Sequence, residues 1–166
     1  MLRWLTPINA WISRICMTLA VLGLFGIVIV VLVQVFGRYV LNDTPSWAES
    51  TALVLVLYVT MFGAAVGVRD AGHIGLESII GLMLPESAQL WVEIPIHLLV
   101  ALFGVLMAWY AGELALSVAP YAIPTLGISE GFNHLPLVIA GVLITLFSIE
   151  HIIALIEGKE VEPAWH

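Results

Sequence analysis

The chain is short of charge, of cysteine and of basic residues, and each shortage closes off a class of function. Only 10% of its 166 residues are Asp, Glu, Lys or Arg, while 61% are hydrophobic. Soluble domains carry about 25% charged residues. With a mean hydropathy of +1.09, the surface must face something other than water, and bilayer lipid is the natural solvent. Five Lys and Arg residues under a net charge of −7 provide no basic cluster for nucleic acid. A lone cysteine, Cys16, excludes an internal disulfide and a cysteine-built metal site. Neither a Ser/His/Asp set, a Gly-rich phosphate loop nor a metal motif is visible, so the chain does not read as an enzyme and calls for no cofactor. Internal repeats and low-complexity tracts are also absent.

What the sequence does have is long apolar runs. Residues 1–14 form a basic, Trp-containing lead-in. Trp4, Leu5, Ile8, Trp11, Ile12 and Ile15 recur at helical spacing, and Thr6-Pro7 suits an N-cap followed by the first helical position. An interfacial turn with its Trp residues at headgroup level is expected there. From Ile15 to Val33 no charge occurs, too long a run for a signal peptide, so a retained span over about 15–38 is expected. Asn42, Asp43 and Pro45 break it. A second span over about 48–68 opens at Ser46-Trp47-Ala48-Glu49, a capping-box pattern, and contains Gly63 and Gly67 in a G-x-x-x-G pair that admits a close backbone neighbour.

After Arg69-Asp70-Ala71-Gly72, a short amphipathic segment over about 74–84 is expected to lie in the interface. Pro85-Glu86 suits the start of the next helix. A third span over about 91–114 includes Pro95, expected to kink it or mark its entry. Gly104, Ala108 and Gly112 would give that span a smooth packing strip. The 117–136 loop is long and nearly uncharged, and a fourth span follows over about 136–156. The expectation is one all-α membrane domain with four crossings. Placing the N-terminus inside puts Arg3, Arg14, Arg69 and Lys159 in the cytoplasm and only Arg38 outside, so both termini are expected to be cytoplasmic. The 39–48 hairpin and the 117–136 loop then face the opposite side.

The polar residues carry the remaining expectations. Arg38 and Glu49 suit a salt bridge across the hairpin. Arg69 and His73, one turn apart, suit either lipid headgroups or the fastening of the interfacial segment or of a larger partner. Glu93, His97, Glu150 and His151 fall at similar depth on adjacent helices. They suit a buried polar cluster that satisfies its own hydrogen bonds, or alternatively a haem- or metal-binding set, which would make the chain a small membrane redox protein.

The run Q-V-F-G-R-Y-V-L-N, then S-W-A-E, F-G-A-A and R-D-A-G-H-I, resembles the small membrane subunit (Q-type) of tripartite ATP-independent periplasmic (TRAP) transporters. The resemblance covers nearly the whole chain in the number and spacing of its spans, with the specific motifs between Gln34 and Glu77. It places Arg38 and Tyr39 at the family's Arg-Tyr, Trp47 and Glu49 in its Trp-x-Glu-Glu, and Gly63-Ala64-Ala65 in its small-residue run. Gly72-His73-Ile74 falls on its Gly-His-Ile, and Glu77 at an acidic position opening the interfacial helix. Two departures stand out. Ser50 replaces the second Glu, and before the last span the Gly-x-Pro-x-Trp type stretch survives only as Gly127 and Pro136.

The resemblance implies a non-catalytic subunit that carries no substrate or ion site and braces a large multi-span permease. A periplasmic binding protein would deliver organic anions to that permease, and a sodium gradient would drive uptake across the bacterial inner membrane. Beyond membrane lipid, those two proteins are the implied partners, and Tyr121 and Phe132 in the long loop are candidate contacts with them. The residues agree in two respects: the centres of the spans hold no cluster of ionisable groups, and the interrupted inverted repeats of an autonomous transporter are missing.

Overall fold

Four long helices dominate the computed structural model, which describes residues 2–71, 86–158 and 161. They are α1 (Leu2–Phe36), α2 (Ser46–Val66), α3 (Glu86–Val118) and α4 (Leu135–Ile156). Among the described residues there is no strand, only one isolated bridge between Ala122 and Ser129. All four helices are long and apolar enough to cross a membrane. At about 1.5 Å per residue, α2 and α4 are each roughly 32 Å long, matching a hydrocarbon core of about 30 Å. By the same rise α1 and α3 reach about 50 Å, so each projects beyond the core.

Helix α1 runs without a break from Leu2 through Pro7, so the lead-in is the start of the first spanning helix and Thr6 is not its N-cap. Proline is tolerated this close to a helix start, where few intrahelical bonds are lost. Ser46 is likewise the first residue of α2, not its cap: Pro45 occupies that position and no side chain caps the helix. Helix α3 is described from Glu86 onward and contains Pro95 within its length. Both hairpin-side and polar-side ends of the first pair close in a π-helical turn, Gly37–Leu41 after α1 and Gly67–Ala71 after α2. The first ends where Asn42 takes a left-handed conformation (φ 52°), which asparagine tolerates better than most residues. The interfacial helix expected over 74–84, with His73 and Glu77, lies outside the described residues.

The helices follow the neighbour order α1–α2–α4–α3, with α1 also touching α4. Helix α4 is therefore the centre, and its buried residues (among them Ala140, Leu143, Ile144 and Phe147) meet Cys16 and Ala20 of α1 and Phe62, Ala65 and Val66 of α2. The α3–α4 contact is built on glycine. A Cβ on Gly141 would stand 2.6 Å from the Gly104 carbonyl oxygen and 2.7 Å from the Ala108 nitrogen, so the two backbones touch there. The expected strip on α3 thus holds at Gly104 and Ala108 but not at Gly112, beside which nothing among the described residues lies within 4 Å.

The α1 stripe faces the other way from a soluble helix. Ile8, Trp11 and Ile15 point outward, while Asn9, Ser13, Cys16 and Ala20 point in. Lipid is as apolar as leucine, so large hydrophobics gain nothing by turning inward, and small or polar residues take the helix contacts.

Candidate functional site: a buried charge cluster joining the four helices

Where α1 and α3 begin and α2 and α4 finish, polar side chains from all four meet in the interior. Arg69 is 1% exposed and Glu150 is fully buried. The wider π turn presents both Arg69 and its neighbour Asp70 inward, although adjacent residues of an α-helix diverge. Arg69 is ion-paired with Asp70, and its Nε lies 3.3 Å and its Nη2 3.5 Å from the two carboxylate oxygens of Glu150. A planar guanidinium is suited to bridging two carboxylates in this way.

Helix α1 completes the shell. Asn9 Nδ2 donates to Glu150 Oε2 at 2.8 Å, Ser13 Oγ donates to Asp70 Oδ2, and the Thr6 carbonyl accepts from Arg69 Nη2 at 3.5 Å. Beside them His151 Nε2 bonds the Arg69 carbonyl oxygen at 3.0 Å. The His97 ring of α3 stacks on that of His151, with centroids 4.7 Å apart and planes within 3°. Buried charges persist only when paired and hydrogen-bonded, and this cluster supplies both conditions.

His97, Glu150 and His151 are therefore brought together, as the polar-cluster reading expects, with Glu93 one turn before His97 on α3. Ligation of one haem iron by a histidine pair requires both imidazoles aimed nitrogen-first at it from opposite sides; face-to-face rings do not do this. Among the described residues no group of three or more His, Cys, Asp or Glu is placed to hold a metal ion. Arg69 is not at the headgroup surface but inside. Asn9, Ser13 and Asp70 were not singled out from the sequence, although the four-residue spacing of Asn9 and Ser13 in an apolar stretch is a readable signal.

The remaining candidates are peripheral. Arg38 and Glu49 are both exposed and form no ion pair; Arg38 instead lies over the Tyr39 ring, 5.9 Å from its centroid. Trp47, Tyr39, Tyr121 and Phe132 are exposed. Among the described residues nothing lies within 4 Å of a Cβ built at Gly63 or Gly67, so neither makes a close backbone contact with them. A groove of about 380 Å³ near the first hairpin is lined by Leu32, Val33, Phe36, Gly37, Leu41, Asp43 and Pro45. Its walls are apolar apart from an acidic residue, which does not suit an organic anion.

At the loop end the chain is tied down by hydrogen bonds. Thr125 Oγ1 donates to Ser50 Oγ at 2.6 Å and Tyr58 OH to the Phe132 carbonyl at 3.2 Å, linking the long loop to α2. Ser129 Oγ donates to the Ala119 carbonyl at 2.7 Å and accepts from the Gly131 nitrogen. Gly127, at φ 67°, closes the turn between Ile123 and Ile128. Ser50, where the resemblance leads one to expect a second Glu, is thus the anchor of the loop.

These features define a class: a small multi-pass membrane protein whose buried charges bond to one another rather than line a path. The sequence profile of tripartite ATP-independent periplasmic transporters, DctQ component, matches residues 27–158, and the chain belongs to this family. It is 28% identical over 126 residues, 75% of this chain and 71% of the relative, to the sialic acid TRAP transporter small permease protein SiaQ of Vibrio cholerae. It is 30% identical over 166 residues to the sialic acid TRAP transporter permease protein SiaT of Haemophilus influenzae. That match takes in 98% of this chain but spans only 25% of the relative. The chain is accordingly a TRAP transporter small permease of the DctQ family, a transport protein rather than an enzyme.

Proposed function

We propose that the chain is the non-catalytic partner of a large permease subunit, bracing it in the bacterial inner membrane while that subunit moves an organic acid with a sodium gradient. The observation that carries this reading is the cluster around Arg69. Its charges are consumed in bonds among α1, α2 and α4, so they fasten helices instead of offering a coordination site to a travelling ion. A chain without a path needs another that has one. The relative in which a segment like this chain makes up a quarter of a longer permease supports such a pairing. Both relatives are named for sialic acid, a carboxylate, which fits organic acids as the substrate class.

The loop held by Ser50 and Tyr58 is the proposed docking point for a periplasmic binding protein or the large subunit, through Tyr121 and Phe132. Tyr39, Trp47 and the open faces at Gly63 and Gly67 are proposed contacts with the large subunit, and His73 and Glu77 with the subunit or lipid. Both termini are proposed to be cytoplasmic. With Arg69 set aside because its charge is neutralised internally, Arg3, Arg14 and Lys159 still outweigh Arg38.

The test is a tagged chain expressed with and without a large TRAP permease subunit. Co-purification, and sodium-driven uptake in vesicles only when both are present with the binding protein, is expected. Uptake by the chain alone, or failure to associate with the permease, would overturn the proposal.

A further inference from the structure

At the hairpin end the chain folds back on itself and leaves a groove. The Asp43 N–H donates to the Gly37 carbonyl at 3.0 Å, and Asn42, in its left-handed conformation, turns the chain toward Pro45. Gly37 is buried beneath this turn: a Cβ there would stand 2.7 Å from the Asp43 carbonyl oxygen and 3.0 Å from Pro45 Cδ. Backbone and a proline ring therefore set the shape, so the groove is formed before anything enters it. Its walls are Leu32, Val33, Phe36 and Leu41.

These walls do not suit another helix. Helices in lipid meet through small residues, as α3 and α4 do at Gly104 and Gly141, whereas the four wall residues are large and exposed. They suit a flexible alkyl chain. At about 1.5 Å per residue, the groove runs roughly 13 Å along the chain from Leu41 to Leu32, close to the depth of one leaflet of a core about 30 Å thick. Its volume of about 380 Å³ falls among those of small-molecule sites.

The rim selects the headgroup. Tyr39 and Trp47, both exposed, belong at headgroup level. Asp43 lines the groove with its side chain exposed, and no cationic side chain among the described residues pairs with it. Arg38, next to Gly37 in the chain, is exposed too, and its long stem allows the guanidinium to meet a phosphate at that level. A headgroup with both a phosphate and an ammonium answers both charges. A primary ammonium also donates hydrogen bonds to a carboxylate, which a quaternary one has no N–H to do. A headgroup with a phosphate but no amine would leave Asp43 facing a like charge.

We infer that this groove is a phospholipid site, with one acyl chain lying between Leu41 and Leu32 and a phosphatidylethanolamine headgroup held by Asp43 and Arg38. The site is independent of the bracing role, and neither relative's name nor the family description mentions it.

The experiment is native mass spectrometry of the full-length chain released from nanodiscs of equal parts phosphatidylethanolamine, phosphatidylcholine and phosphatidylglycerol. One retained phosphatidylethanolamine per chain is expected, favoured about threefold to fivefold over each of the others, since exposed charge pairs are individually weak. Asp43→Asn keeps the backbone bond to Gly37 and removes only the charge. It is expected to abolish the preference between the ethanolamine and choline lipids while a lipid is still retained. Val33→Trp fills the groove and is expected to lose the retained lipid. Equal retention of the three lipids, or an unchanged preference in Asp43→Asn, would overturn the inference. So would loss of the lipid when a large TRAP permease subunit is added, which would make the groove a seat for protein. If Val33→Trp does not fold, Asp43→Asn decides the question alone.

Discussion

Replacing Arg69 by methionine keeps an unbranched apolar stem and removes the charge, taking from buried Asp70 and Glu150 the guanidinium that both accept from. Breaking a buried ion pair from one side costs about 3–5 kcal/mol, because the partner is stranded in low dielectric. Two carboxylates lose their cation here, so the upper end of that range is expected. For a chain of this size, soluble-protein scaling converts about 3–5 kcal/mol into a fall of roughly 6–20 °C in the thermal midpoint. Arg69→Lys retains the charge but concentrates it at one point that cannot bridge both carboxylates, and a loss of about 1.5–3 kcal/mol is expected. The neutral triple variant Arg69→Met, Asp70→Asn, Glu150→Gln strands no charge, and its midpoint is expected to recover most of the loss. Fluorescence-detected size exclusion of heated, detergent-solubilised protein reads all three. If Arg69→Met melts with the wild type, the cluster is not what joins these helices.

Gly141→Val places a side chain where even a Cβ is 2.6 Å from the Gly104 carbonyl, so α3 and α4 must separate; about 1–3 kcal/mol of destabilisation or more is expected in the same thermal assay. Gly67→Leu meets nothing among the described residues, so its melting is expected to be unchanged while recovery of the complex with the large permease drops. Unchanged recovery would remove this glycine from the interface. Thr125→Val breaks the link to Ser50 and is expected to speed proteolysis in the 117–136 loop while costing no more than about 1 kcal/mol of stability. Photo-cross-linkers at Tyr121 and Phe132 are expected to capture the large subunit or the binding protein, and labelling of lipid alone would remove the loop from that role.

The spans were legible because charge-free runs of this length have one physical explanation, and the hairpin was legible because Asn42, Asp43 and Pro45 each disfavour continued helix. Direction was harder to read. Trp11 and Ile15 form the obvious stripe on α1, yet the structurally decisive positions are Asn9, Ser13, Cys16 and Ala20 on the opposite face. A rule that turns hydrophobic stripes inward applies in water and reverses in lipid. From sequence Arg69 suits headgroups or a fastening contact, because a basic residue at the end of a span ordinarily sits at the membrane surface. Its partner Glu150 is 81 residues away, and no local spacing announces that pairing. The Arg38–Glu49 bridge failed for the converse reason: proximity in sequence across a hairpin suggested it, but both side chains are exposed, where pairing offers little.

Helices in lipid lack the hydrophobic drive that holds a soluble bundle together, so their association depends on close backbone contact and on polar bonds. This chain uses the two at different depths. Glycine and alanine hold α3 to α4 in mid-span, at Gly104, Ala108 and Gly141. The Arg69 cluster ties α1, α2 and α4 at one end, and the bonds of Ser50 and Tyr58 tie the long loop to α2 at the other. A row of helices fastened at both ends resists the sliding and splaying by which moving transport domains work. Such resistance is the property that the proposed bracing of a moving subunit demands. It follows that variants loosening the Arg69 end are expected to impair uptake by the assembled transporter before they prevent assembly. A loosened chain that still assembles and supports full uptake would show that rigidity is not what it contributes.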